Sequence, residues 1–171
     1  TVSLCDTVQL ECGGSGIRLF SDSNCVPADR RNLAYRAAEA FYQYTKLAPS
    51  VKIRLEKRIP VSAGLAGGSS DGAAVLLGLN QLYHSPLSVQ QLCAIGKTIG
   101  ADLPFCILRG TALAEGIGEK LTSLPAFPDC SIVLVTPPIA VSTPWVYAQM
   151  DTATGLCHPD TEAFLRHLEA G

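Results

Sequence analysis

Between residues 51 and 83 the chain reads strand, glycine-rich loop, helix, and this order limits the available folds more than any other feature. Val51, Ile53 and Leu55 alternate with Lys52, Arg54 and Glu56, the period of a half-buried strand, and Pro60 ends it. Val61-Ser-Ala-Gly-Leu-Ala-Gly-Gly-Ser-Ser-Asp71 follows, and then Val75, Leu76, Leu79, Leu82 and Tyr83 recur at helical spacing. Glycines in the loop let backbone N–H groups approach an anion, and the helix behind presents its positive end. Ser69 and Ser70 add hydroxyls at the helix start, so the loop suits nucleotide phosphates, with one serine placed to reach Mg²⁺. A structural turn with a serine cap fits the same residues, and the Gly-Lys-Ser/Thr ending of the usual P-loop is not there.

The flanking segments predict a mixture of strands and unpaired helices, which is an α+β class rather than a strict βαβ alternation. Residues 2–11 and 17–20 read as a β-hairpin turned by Gly13-Gly14-Ser15-Gly16. Leu33, Ala37, Phe41 and Tyr44 define one face of a helix opening at Asn32. Ser88 and Gln91 form a capping box ahead of Leu92, Ile95 and Ile99, and Gly100 stops that helix. Residues 110–115 and 131–136 read as strands, residues 124–129 as a linker, and Asp160 as the cap of a helix carrying Phe164, Leu165 and Leu168.

Charge and composition exclude several classes. The net charge is −2 with no run of Lys or Arg, so the basic stripe of a nucleic-acid binder is missing. No apolar stretch approaches the roughly 18 residues that cross a bilayer, so no membrane partner is expected. Seven cysteines without a C-x-x-C pair read as reduced thiols in a cytoplasmic setting.

Pro60-Val-Ser-Ala-Gly-Leu-Ala-Gly-Gly-Ser-Ser-Asp-Gly-Ala-Ala74 resembles the second motif of the GHMP kinases. Arg31-Asn-Leu-Ala34, Gly100-Ala-Asp-Leu-Pro-Phe105, Gly110-Thr-Ala-Leu-Ala-Glu-Gly-Ile-Gly-Glu119 and Val141-Ser-Thr-Pro-Trp-Val-Tyr147 are similar in order and spacing to one branch of that family. The resemblance covers nearly the whole chain. It implies a two-domain α+β fold with the active site between domains. Residues 1–122 would form the N-terminal, nucleotide-binding domain and residues 123–171 the start of the substrate-side domain.

The implied activity is transfer of phosphoryl from ATP, with Mg²⁺, to an alcohol of a small-molecule substrate. Gly64, Leu65, Ala66, Gly67, Gly68, Ser69 and Ser70 would hold the phosphates, with Ser69 on the metal and Asn32 and Lys57 around the nucleotide pocket. Asp102 matches the family's catalytic aspartate, which accepts or orients the hydroxyl proton at the substrate. Thr143 and Tyr147 match positions near a cytidine end of the substrate. Read locally, Lys57 is a solvated strand-end charge, Asp102 a turn residue, and Ser142-Thr143-Pro144 a helix start.

Two departures stand out in the motif. Ala66 replaces a usual glycine and would be strained at positive φ, and Gly72 replaces a common alanine. The family's Lys-x-Asn strand, Gly-Tyr-His segment and third glycine-rich motif are not in this sequence, so it is expected to be part of a longer kinase and inactive alone. The competing readings are another branch acting on homoserine, a mevalonate derivative or a sugar, and a non-catalytic nucleotide-binding module.

Overall fold

In the computed structural model of the protein, which describes all residues except 119, 137–141, 156, 158 and 171, the alternating segment is the middle strand of a sheet. The strands are β1 (Thr7–Cys12), β2 (Gly16–Ser21) and β3 (Ser50–Glu56), in the order β1-β3-β2. β1 runs antiparallel to β3, with Leu10 opposite Ile53, and β2 runs parallel to it, with Leu19 opposite Ile53. The expected hairpin is corrected: its two strands form, but β3 inserts between them and each bonds to β3 instead of to the other. β3 carries the strictest alternation, and with Val51, Ile53 and Leu55 all buried it gains most from a neighbour on each edge. Positive φ at Gly13, Gly14 and Gly16 carries the connection past the start of β3, where Gly16 N donates to the Pro49 carbonyl at 2.8 Å.

The chain forms two compact units, Thr1–Ser123 and Leu124–Gly171. In the first, α1 (Leu33–Thr45) and α2 (Gly67–Leu82) pack on the sheet, and α3 (Val89–Ile99) and α4 (Leu103–Leu108) pack against them. The buried stripe of α1 is Ala34, Ala37, Ala38, Phe41 and Tyr42. It is turned from the expected face: Tyr44 lies half-exposed, its hydroxyl accepting from Gln91 Nε2 at 3.2 Å. Alanines at three of these positions let α1 lie close to its neighbours. In α2, Val75, Leu76 and Leu79 are fully buried, whereas Leu82 is exposed at the helix end. Ser88 and Gln91 form the capping box that starts α3, with Gln91 N donating to Ser88 Oγ at 3.3 Å and Ser88 N to Gln91 Oε1 at 2.8 Å.

α4 is a helix that periodicity does not show, because six residues give less than two turns of pattern; Pro104 sits in its first turn. β4 (Thr111–Glu115) and β5 (Lys120–Leu124) make a two-stranded sheet, and β5 is too short to announce itself by alternation. The second unit holds α5 (Thr143–Thr152) and α6 (Thr161–Ala170). Asp160 caps α6 as expected, its Oδ1 accepting from Ala163 N at 2.8 Å. The strand expected at 131–136 is corrected: the segment is irregular, and Val133 is 86% exposed. Among the described residues no strand pairs with it, and an apolar alternation without a partner has no ladder to join. Among the described residues no helix is long and apolar enough to cross a membrane.

Asn80 holds the α2–α3 connection. Its Nδ2 donates to the Leu87 carbonyl at 2.9 Å and its Oδ1 accepts from Leu87 N at 3.0 Å, all four groups being buried. Asn80→Ala strands both Leu87 groups and is expected to cost about 2–3 kcal/mol, read as a lower denaturant midpoint at unchanged slope. A loss below about 0.5 kcal/mol would show that Asn80 does not hold the loop.

Candidate functional site

The start of α2 is left open. Its N-cap is Ala66, which has no side-chain acceptor, and the first rung of the helix runs from Ser70 N to the Ala66 carbonyl at 2.8 Å. The N–H groups of Gly67, Gly68 and Ser69 therefore precede the hydrogen-bonded ladder, at the positive end of a 16-residue helix. Ser70 Oγ is turned back to donate to the Gly67 carbonyl at 2.8 Å. Ser69 is buried, and its Oγ lies 4.0 Å from where a Cβ on Gly100 would stand. Glycine at 67 lets the loop lie close on Ile59, since a Cβ there would approach Ile59 Cγ2 to 3.0 Å. Ala66 itself takes φ 52° and ψ 24°, the left-handed region in which its methyl is strained.

Two other expected site residues are tied to this turn. Asn32 caps α1, its Oδ1 accepting from Ala34 N and its Nδ2 donating to the Pro27 carbonyl, both at 2.9 Å. The neighbouring Leu33 carbonyl lies 3.3 Å from a Cβ position on Gly72, so the starts of α1 and α2 are adjacent. This is the use of glycine at 72. Asp102 occupies the N-cap position of α4 with φ −83° and ψ −14°, and its carboxylate makes no cap bond. That carboxylate is exposed and stands 3.8 Å from the Cβ position of Gly118, in the turn between β4 and β5. Leu103 beside it is fully buried against Gly72, Gly96 and Gly100, which fixes Asp102 relative to α2 and α3.

The structure thus gathers Gly64–Ser70, Asn32, Lys57 and Asp102 within the first unit. Thr143 and Tyr147 belong to the second: Thr143 opens α5 with its side chain outside the described set, and Tyr147 is 64% exposed on that helix. Glu119 and Val141, which end and begin two of the motif strings, lie outside the described residues.

Lys57 is not a solvated charge. Its side chain is 5% exposed, and its ammonium bonds Asp6 and, at 2.7 Å, Asp71 Oδ2. Asp6 also accepts from Arg58 N at 2.6 Å and Ile59 N at 2.8 Å. Burial works against the Asp6 carboxylate, but Lys57 and the two backbone N–H groups outweigh it and hold its pKa below the ordinary value. Burial likewise opposes the Lys57 charge, and the two carboxylates overcome it, so its pKa is raised. For Asp71 burial prevails over the pull of Lys57 and pushes the carboxyl up to about 6. Asp6 and Asp71 escaped the sequence reading. Asp71 lies inside the loop motif and was readable as a charge beside it, whereas nothing local marks Asp6.

The family described as GHMP kinases N terminal domain matches residues 32–110. The chain is 45% identical over 166 residues to the 4-diphosphocytidyl-2-C-methyl-D-erythritol kinase of Acetivibrio thermocellus, covering 97% of this chain and 59% of that protein. It superposes on a crystal structure of 4-(cytidine 5'-diphospho)-2C-methyl-D-erythritol kinase with a TM-score of 0.74 at 37% identity, covering 99% of this chain and 60% of that one. Homoserine kinase from Cytophaga hutchinsonii shares the fold, with a TM-score of 0.68 at 16% identity over 96% of this chain and 59% of that one. The chain therefore spans about three-fifths of the length of the relatives it matches.

Ala66→Gly removes a strained methyl at positive φ and is expected to stabilise the protein by about 1 kcal/mol after the larger unfolded-state freedom of glycine is counted. Thermal unfolding checks this. A lower melting temperature would mean that Ala66 is not strained at that angle.

Proposed function

We propose, from the match of residues 32–110 to the N-terminal domain of the GHMP kinases and from the relatives along nearly the whole chain, that the protein is a kinase of that family and transfers the γ-phosphoryl group of ATP to the 2-hydroxyl of 4-diphosphocytidyl-2-C-methyl-D-erythritol. The observation that carries the proposal is the open start of α2 beside an exposed Asp102, the two held together by Leu103 and Gly100. The choice of substrate is supported by relatives of that name at 45% identity along nearly the whole chain. Residues 1–122 form the nucleotide side in this reading, and residues 123–171 begin the substrate side, with Thr143 and Tyr147 at the cytidine end. Its setting is cytoplasmic, with no disulfide among the described cysteines.

Phosphoryl transfer needs placement and charge more than covalent chemistry from the protein. The N–H groups of Gly67, Gly68 and Ser69, with the loop from Gly64, would receive phosphate oxygens at the positive end of α2. Asn32 shapes the neighbouring nucleotide wall by fixing the start of α1. Asp102 is free of any capping duty, so its carboxylate can take the proton of the attacking alcohol and orient the oxygen toward phosphorus.

Ser69 at the start of α2 would offer one oxygen to Mg²⁺ on the phosphates. Among the described residues no group of three or more His, Cys, Asp or Glu could hold a metal, and Mg²⁺ on phosphates asks for only one or two protein oxygens. Ser69 Oγ would hold it. The ion supplies charge neutralisation on the phosphates when bound.

Asp102→Asn keeps the shape and removes the base, so turnover by the full-length protein is expected to fall about 10²-fold or more with ADP affinity nearly unchanged. Equal turnover would remove Asp102 from the mechanism. Ser69→Ala is expected to weaken ATP binding, measured as a raised KM for ATP; unchanged KM and turnover would leave Ser69 a packing residue only.

A further inference from the structure

Lys57, Asp6 and Asp71 form a buried cluster directly under the start of α2. A Cβ on Gly67 would stand 3.6 Å from the Lys57 ammonium, so the cation lies just beneath the loop backbone. It is already engaged by carboxylates from two other segments. Asp6, ahead of β1, uses both oxygens: Oδ1 takes the N–H groups of Arg58 and Ile59, and Oδ2 takes Lys57. Asp71 Oδ2 accepts from Lys57, and among the described residues its Oδ1 is buried without a partner. It sits one turn into α2, so its charge faces the helix end that would receive an anion, at roughly 5–6 Å of axial rise. Left uncompensated, it would repel that anion through a low-dielectric interior.

We propose that Lys57 is a positioning residue for the nucleotide: from beneath the loop it offsets the charge of Asp71, sharing its own charge with Asp6, and ties the start of α2 to β3 and to the Asp6 segment, without touching the nucleotide. This rests on the phosphate-binding reading of the loop. The alternative geometry has Lys57 leave both carboxylates and meet the phosphates itself. That would strand Asp71, whose Oδ2 has Lys57 as its hydrogen-bond donor, and would vacate one Asp6 oxygen.

Calorimetric titration of the full-length protein at about pH 9, alkaline enough to keep the buried Asp71 carboxyl ionised once its cation is gone, with ADP and Mg²⁺ and separately with uncharged adenosine, separates the two. Lys57→Met is expected to weaken ADP binding by at least about tenfold and adenosine binding by less than about threefold, because a charge effect scales with the charge of the ligand. Adding Asp71→Asn to Lys57→Met removes the stranded carboxylate and recovers most of the lost ADP affinity. A double variant as weak as Lys57→Met overturns the proposal, since Lys57 would then meet the phosphates directly. Equal losses for ADP and adenosine also overturn it, as a merely structural role moves both alike. If Lys57→Met does not fold, the double variant decides: ADP binding within about tenfold of wild type upholds the proposal and weaker binding overturns it. Wild-type protein that binds no ADP would overturn the nucleotide reading and this inference with it. Wild-type binding that Lys57→Met leaves unchanged overturns this inference alone.

Discussion

One buried cation shared by two carboxylates joins three parts of the chain that are far apart in sequence: Asp6 before β1, Lys57 after β3, and Asp71 in the first turns of α2. It adds an ionic tie beneath the glycine-rich loop to the apolar packing of Ile59 and Leu33 against Gly67 and Gly68. Burying three charges is not a cheap source of stability, and removing one partner of such a cluster costs about 3–5 kcal/mol because it strands a charge. What the cluster secures is position. It fixes where α2 begins, and with it where the N–H groups of Gly67, Gly68 and Ser69 point.

The second constraint is the closeness of the helices around that point. Gly72, Gly96 and Gly100 leave a slot that Leu103 fills, and a methyl at any of them would come within about 3.0–3.1 Å of that side chain. Leu103 is fully buried, so the residue before it cannot drift. Asp102 is thereby presented at the surface by a buried neighbour, a carboxylate whose position is set by packing while its own oxygens stay unused for capping. The short sheet of β4 and β5 brings Gly118 to the same place, and its φ of 102° with no Cβ leaves room beside the carboxylate.

Much of this was legible before the structure. The strand at 50–56, the loop, and the helices opening at Leu33, Gly67, Val89 and Thr161 follow from alternation, helical spacing and caps. The topology of the sheet was not, because pairing depends on which strand needs both edges covered, and adjacent sequence favoured a hairpin that β3 displaces. α4 and β5 are shorter than the window in which a period can be counted. At the site, the loop and Asp102 were marked by motif. The fate of Lys57 was hidden, since its two partners lie 51 and 14 residues away and only folding brings them together. At Ala66 the motif departure signals strain only if the loop needs a positive φ, a condition that the fold alone decides and that the loop meets.

The central claim is that the open start of α2 is a phosphate cradle held rigid from below. Backbone amide spectra of the full-length protein, recorded as ADP and Mg²⁺ are added, test it most directly. The account predicts that the largest shifts fall on the amides of Gly64–Ser70, above all Gly67, Gly68 and Ser69, with smaller shifts at Asn32. Shifts that leave these amides unmoved and cluster elsewhere would contradict it.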